Sequence, residues 1–301
     1  MTLIVALLLV FSFSIALIRM RNVEHFSLRR QLTNYATFMV PFNLPAYLLS
    51  KVPLTHFVDR RHFPELDEVE ENWEVIRDEA LALYDNGLIA AKDDLPAASF
   101  YRDGRWTSFY LKAYGIDIPS AYELAPKTMA LLDRVPNMQI ALFACLNPGK
   151  ELSAHHDPFA FSLRYSLGLS TPNSDRSGLV VNAEDYQWRD GESIIADQTY
   201  FHSAYNRSDK PRIILMTDVD RPLRWAWVQK IYYAFGWTFN RLFAVDNIDL
   251  SRSGLGNKAG RGILAYQKLL KRFKHWNKPL YVASKGVTIG LALFLTARAM
   301  L

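Results

Sequence analysis

The chain holds a single cysteine, Cys145, in 301 residues. No internal disulfide can form, so the fold does not depend on an oxidising compartment and suits a cytosol-facing protein. No internal repeat or long low-complexity run interrupts it, and half of its residues are apolar. A chain of this length and composition is not disordered overall and buries a sizeable core in one or two domains. Met1 to Ile18, MTLIVALLLVFSFSIALI, lacks any charged side chain. It also lacks the basic start and the small-residue cleavage site of a secretory signal, so a transmembrane anchor over residues 1–18 is expected. Arg19, Arg21, Arg29 and Arg30 follow it in a basic juxtamembrane segment, 19–63. By the positive-inside rule everything after the span faces the cytoplasm.

What is present sharpens this picture. The formal charge is +5, and the basic excess gathers beside apolar segments at both ends, which points to an anionic membrane surface and not to nucleic acid. RWAWVQKIYYAFGWTFNRLF, 224–243, is dense in Trp and Tyr and reads equally well as a membrane-interface helix or a core-packed one. After the linker SRSGLGNKAGRG comes ILAYQKLLKRFKHW, whose apolar and basic residues separate onto two helical faces. Residues 223–278 are therefore expected to form aromatic and basic interface helices. Residues 279–301 are expected to form a second transmembrane helix, with Lys285 snorkelling toward water.

The middle of the chain, 64–222, reads as one soluble domain. PELDEVEENWEVIRDEALALYDNG begins with Pro64, spaces Leu66, Val69, Trp73, Ile76, Ala80 and Leu83 three or four apart, and stops at Gly87; this is an amphipathic helix. The run before it, FMVPFNLPAYLLSKVPL, is broken by Pro41, Pro45 and Pro53 and is no spanning helix. From Gln139 the pattern changes to short β-rich segments, QIALFACL, FSLRYSLGLS, SGLVVN, DYQWRD, ESIIAD, YFHSAYN and RIILMTDVD, separated by turn residues. Such spacing predicts an antiparallel jelly-roll with a helical layer on one face.

Within AHHDPFAFSLRYS, His155 and Asp157 are two apart, so in extended backbone they project together while His156 points away. His202 is the natural third partner, because His275 lies in the basic helix. Two imidazoles and one carboxylate on one face of a metal are the donor set of non-haem Fe(II) oxygenases. A polar turn with a structural histidine is the competing reading. Arg212 opens an apolar strand and Arg164 sits inside another, and a guanidinium in such a place needs an anion. A dicarboxylate co-substrate supplies one through paired hydrogen bonds; a structural acid such as Asp197 is the alternative. A zinc hydrolase built on the same triad leaves Arg212 unexplained.

ENWEVIRDEAL, NPGKELSAHHDPFAFSLRYSLGLS and DGESIIADQTYFHSAYNRSDKPRIILMTDV together resemble the aspartyl/asparaginyl β-hydroxylase family of Fe(II)- and 2-oxoglutarate-dependent dioxygenases, over roughly Pro64 to Pro222. The resemblance implies a double-stranded β-helix core. It makes His155 and His202 iron ligands, Arg212 the holder of the distal carboxylate of 2-oxoglutarate, and Arg164 a second arginine near the co-substrate. Animal peptide hydroxylases of the family have glycine where Asp157 stands, and serine and histidine where this chain has Ala144 and Ser166. With Asp157 the facial triad is complete.

With its apolar ends, the chain is most similar to the bacterial branch that hydroxylates carbon 2 of a secondary acyl chain of lipid A. That implies lipid A or its precursor as substrate, O2 and 2-oxoglutarate as co-substrates, and a bacterial inner-membrane location. A peptidyl aspartyl/asparaginyl hydroxylase and an inactive membrane-anchored binding module are the alternatives.

Overall fold

The computed structural model describes residues 2–90, 105–113, 118–242, 247, 269, 272–277 and 279–280. Nine strands form its centre: β1 (Trp106–Ala113), β2 (Met138–Leu146), β3 (Lys150–His155), β4 (Ser162–Ser170), β5 (Ser177–Val181), β6 (Glu184–Gln187), β7 (Ser193–Ala196), β8 (His202–Asn206) and β9 (Arg212–Asp220). They make two antiparallel sheets, of order β1-β2-β9-β4-β7 and β3-β8-β5-β6. From β2 onward the first strand pairs with the last and each inner pair nests within the one before: β2 with β9, β3 with β8, β4 with β7, β5 with β6. That nesting is the double-stranded β-helix, or jelly-roll, which the spacing of the strands predicts. All seven expected strand segments are present, and the pattern missed β1 and β3.

The larger sheet is covered on both faces. Leu142, Ala144 and Leu146 of β2 and Ile214 of β9 face Leu179, Val181, Trp188 and Ala204 in the space between the sheets. Ala141, Phe143 and Cys145 point the other way, onto Leu66, Val69, Ile76, Ala80, Leu83, Met129 and Leu132. Double coverage is why β2 reads as an unbroken apolar run instead of alternating. The covering layer comprises α4 (Asp67–Glu71), α5 (Trp73–Asp85), α6 (Pro119–Leu124) and α7 (Pro126–Leu132). The helix expected from Pro64 to Gly87 is thus interrupted once, at Asn72, whose φ of −100° and ψ of 23° leave the helical region. It ends as expected: Gly87 has φ +69°, a conformation natural to glycine.

Three more helices lie at the end of the barrel that carries His155: α1 (Thr2–Arg21), α2 (Leu28–Gln31) and α3 (Tyr35–Leu48). α3 runs through Pro41 and Pro45; at 14 residues the proline-punctuated segment is a helix packed on the domain, not a spanning one. Both prolines are exposed, where the missing N–H and the ring cause least disturbance. α1 packs on α3 through Leu17, Ile18, Ala36 and Val40. The aromatic segment forms α8 (Ala226–Leu242), packed on the domain along one side. Val228 and Tyr232 pack on Ala46 and Phe161, while Trp225, Trp227, Ile231 and Trp237 are exposed.

Among the described residues no helix is long and apolar enough to cross a membrane. The anchor expected over 1–18 is helical, yet its C-terminal turns dock on the domain instead of leading freely away from it. Of the four arginines read as one juxtamembrane cluster, Arg19 bonds the Gln31 side chain at 3.0 Å and Arg21 bonds Asp197 at 3.1 Å. Arg29 and Arg30 are exposed. The Gly-rich linker lies outside the described residues, and so does the second expected span apart from residues 279–280.

Candidate metal centre

His155 closes β3 and stands opposite His202, the first residue of β8, in the antiparallel register; their ring centroids are 4.2 Å apart. Asp157 follows just beyond the strand, fixed by its backbone N–H donating to the Gln198 carbonyl at 2.7 Å. One ligand atom from each of the three side chains falls within 4.8 Å of the others. Asp157 Oδ1 is 3.6 Å from His155 Nε2 and 4.0 Å from His202 Nε2. Both Nδ1 atoms lie 2.9 Å from a carbonyl two residues earlier, Ser153 and Tyr200 respectively. A carbonyl only accepts, so each Nδ1 carries the proton and each Nε2 offers its lone pair to the common point. His156 points away, as alternation requires. Its ring is buried against Phe26 and Phe201, and its Nδ1 donates to the Thr199 carbonyl.

The electrostatics favour a cation. Burial works against ionising Asp157, but Arg164, then His202 and His155, outweigh it and hold the carboxyl below its usual range. Burial and then the neighbouring His155 push His202 down to about 3, so its imidazole is neutral and able to ligate.

The two arginines part ways. Arg164 lies opposite Asp218 in the β4–β9 register and grips it with two bonds, of 2.7 and 3.1 Å. Its Nη1 reaches Asp157 Oδ2 at 3.0 Å and Gln198 Oε1 at 2.5 Å. Arg164, expected near the co-substrate, stands beside the triad: β9 brings Asp218 directly next to it, and it serves as a clamp on Asp157. Arg212 behaves oppositely. It is buried between the sheets, opposite Leu146, with its guanidinium over the Trp188 ring at 5.2 Å. Its Nε has no hydrogen-bond partner, and among the described residues no carboxylate pairs with it. Burial lowers its pKa to about 10, which still leaves it charged at neutral pH. A buried cation without an anion is costly, and a carboxylate entering the barrel would complete it.

Several residues of the site carry no local signal in the sequence. Asp197, fully buried, accepts from Arg221 at 2.7 Å and Arg21 at 3.1 Å, and from the Thr199 N–H and hydroxyl. Burial opposes its ionisation, but Arg221 and Arg21 keep it below the usual carboxylate range. The next two residues, Gln198 and Thr199, hold the backbone of Asp157 and the ring of His156. Arg21, the last residue of α1, therefore braces the loop that braces the metal ligands. α3 adds two ties, with the Tyr35 hydroxyl donating to the His156 carbonyl and Asn43 bonding both Pro158 and Ala160. Trp188 and Tyr200 belong to this framework, one beneath Arg212 and the other beneath Arg21.

Residues 70–222 match the family described as Aspartyl/Asparaginyl beta-hydroxylase. Among similar proteins, the ornithine lipid ester-linked acyl 2-hydroxylase of Rhizobium tropici is 31% identical over 170 residues, which is 55% of this chain and 60% of that protein. The human aspartyl/asparaginyl beta-hydroxylase is 31% identical over 162 residues, 51% of this chain and 21% of that protein. Human aspartate beta-hydroxylase domain-containing protein 2 is 27% identical over 188 residues, 58% of this chain and 50% of that protein. The chain thus spans only part of the length of each relative. The matched region runs from the helical layer through β9 and contains both histidines, the aspartate and the buried arginine, and on that match the chain belongs to the aspartyl/asparaginyl beta-hydroxylase family.

Proposed function

We propose that the protein is an Fe(II)- and 2-oxoglutarate-dependent dioxygenase that hydroxylates carbon 2 of an acyl chain in a bacterial membrane lipid, with a secondary chain of lipid A as the expected substrate. The observation that carries the chemistry is the pairing of a convergent His-Asp-His set with a buried, anion-less arginine in one barrel. His155, Asp157 and His202 would hold the metal, whose donor set suits Fe(II), and Arg212 would hold the distal carboxylate of the co-substrate through charge-assisted bonds. The bound iron supplies oxidising power, coupling decarboxylation of 2-oxoglutarate by O2 to transfer of one oxygen atom into a C–H bond, with succinate and CO2 released.

The chain's own part is positioning. Carbonyl-bound Nδ1 atoms lock the two rings, Arg164 and the Gln198 carbonyl lock Asp157, and the apolar walls between the sheets keep water from the reacting carbon. One arginine is left free for the co-substrate, while the other is spent on the metal ligand.

Two observations support a lipid. Helices with exposed apolar faces, α1, α3 and α8, stand at the barrel end that carries the triad, and the Rhizobium relative is by name an acyl 2-hydroxylase of a lipid. We place the protein at the cytoplasmic face of the inner membrane, held there by α1 and its apolar neighbours, with Arg29 and Arg30 toward anionic headgroups. The test is the mass spectrum of lipid A and of ornithine lipid from cells expressing the wild-type chain or His155→Ala. One added oxygen on a secondary acyl chain of lipid A, absent in the variant, is the expected outcome. The same gain on ornithine lipid alone would replace the substrate and keep the chemistry. No gain on either, with protein present and iron and oxygen supplied, would turn the assay to acidic peptides.

A further inference from the structure

The metal centre has a neighbour that the chemistry does not use. Against Asp157 lies a narrow cavity whose walls are apolar on one side, Leu17 and Ile18 of α1 with Ala36 and Val40 of α3, and polar on the other, Arg21, Asn22, Asn43 and Thr199. It is the inner end of the seam between these two helices. A small apolar cluster of Leu17, Ile18, Ala36 and Val40 closes the seam, separate from the main core. Arg21 pins the inner end, stacking on Tyr47 of α3 and bonding Asp197; outward of that anchor few buried contacts join the two helices, and there the seam opens at low cost. At the other end Phe11 and Phe38 face each other across the seam, with ring centroids 5.3 Å apart. Around and beyond them α1 exposes the large apolar side chains Val5, Leu7, Leu8, Leu9, Val10 and Phe13. An apolar seam thus leads from an exposed apolar surface to the mouth of a cavity that Asp157 lines, whose inner wall also carries Arg21, Asn22, Asn43 and Thr199. Polar groups along it are already satisfied: Ser14 and Asn22 bond α1 carbonyls, and the Gln31 amide bonds the Ile15 carbonyl.

We infer that the α1–α3 seam is the acyl-chain subsite, which an anionic lipid enters sideways from the bilayer. The inference rests on the lipid reading above and specifies how such a substrate is seated. Carbon 2 of an acyl chain adjoins the ester carbonyl, so when that carbon is at the metal the rest of the tail must lie along some apolar track leading outward. The seam is such a track. From Arg21 to Phe11 the helix rises about 15 Å, the reach of a medium-length acyl tail. Charge sets the orientation, because exposed Arg29 and Arg30 follow α1 near the metal end, where an anionic headgroup would sit, while α1 and α3 expose no charged side chain around Phe11 and Phe38. A tail lying there parts the helices without exposing them to water.

The experiment uses the full chain in detergent or lipid nanodiscs. A Phe11→Cys/Phe38→Cys double variant is closed with a short, reductively cleavable thiol crosslinker; the native Cys145 is buried and does not compete. The expected result is at least a tenfold loss of lipid hydroxylation on crosslinking, restored by cleavage, while iron-dependent succinate release in the absence of lipid stays at the uncrosslinked level. Wild-type lipid hydroxylation with the seam closed overturns the inference. It would overturn it equally if crosslinking altered only self-association, since the seam would then be a contact between copies of the chain. Ala36→Leu is the second variant: it fills the inner seam, which every tail must cross when carbon 2 is at the metal, so lipid hydroxylation falls at every acyl length, and wild-type lipid hydroxylation in a folded variant sinks the proposal. Failure of the lipid reading itself looks different, because the untreated wild-type protein would then hydroxylate no lipid of any length.

Discussion

On the proposed function, Arg212 serves activity at the expense of stability. Its guanidinium is desolvated between the sheets with Nε unpartnered, so the protein without co-substrate bears an uncompensated charge. Arg212→Met fills similar volume with no charge. The metal-free variant should melt at or above the wild-type temperature in calorimetry while its 2-oxoglutarate requirement rises about 100-fold, as for loss of a charge-assisted pair of roughly 3 kcal/mol. A fall of several degrees would mean that Arg212 has a structural partner. Arg164 should behave in the opposite way. Arg164→Met leaves Asp157 and Asp218 without their shared cation, so metal affinity in a Co(II) titration should drop about 10- to 100-fold, with stability lowered by about 2 kcal/mol. The convergence of the candidate metal ligands was legible because two-residue alternation places His155 and Asp157 together whatever the rest of the fold does. The division of labour between the arginines was not. It depends on Asp218 lying across a strand pair from Arg164 while Leu146 lies across from Arg212, and register is a tertiary fact.

Elements were readable where one face is apolar and hidden where context overrides pattern. The helix of residues 64–87 kept its buried stripe through the break at Asn72. β1 escaped because its own stretch, WTSFYLKA, stands far from the other β segments and gains its place only by pairing with β2. The prolines of α3 argued only against a spanning helix, and its place against α1 and α8 depends on tertiary packing that the pattern does not carry. α8 offers a test of element docking. Asp220, at the end of β9, is raised to about 7 by burial, with Gln139 and Gln229 as its neighbours. Gln229 belongs to α8, so this carboxyl sits beneath the helix. A folded pKa above the unfolded one means a stability contribution fully present below about pH 4 that is lost as pH rises through 7. Asp220→Asn should therefore be more stable than wild type at pH 8, by about 1–2 kcal/mol after allowing for partial exposure, and indistinguishable near pH 4. Melting temperatures at the two pH values decide this; equal differences at both would show that the carboxyl is not protonated in the fold.

At the scale of the whole molecule, the basic residues that follow the first apolar segment look equivalent in sequence and are not equivalent in space. Charge counting treats Arg19, Arg21, Arg29 and Arg30 as one signal. The fold spends Arg19 on Gln31 and Arg21 on the buried Asp197, so these two hold α1 to the catalytic framework. Arg29 and Arg30 stay exposed and are the pair that an anionic bilayer would attract. A basic side chain near such a surface contributes about 1 kcal/mol, and two together favour anionic over neutral membranes by about thirtyfold. The full chain with Arg29→Gln and Arg30→Gln, moved from micelles into liposomes, should lose most of that preference. Its partitioning into neutral vesicles and its melting temperature should not change, because apolar faces supply the first and internal bonds the second. Arg21→Gln should do the reverse, leaving lipid preference intact while lowering the melting temperature, since it uncouples α1 from Asp197 and leaves Arg221 as that carboxylate's one arginine partner among the described residues. If both variants lose anionic preference alike, the four arginines act as one electrostatic cluster and α1 is a tether. If they separate as argued, α1 is part of the catalytic domain, and the protein meets the membrane with the helices that brace its metal site.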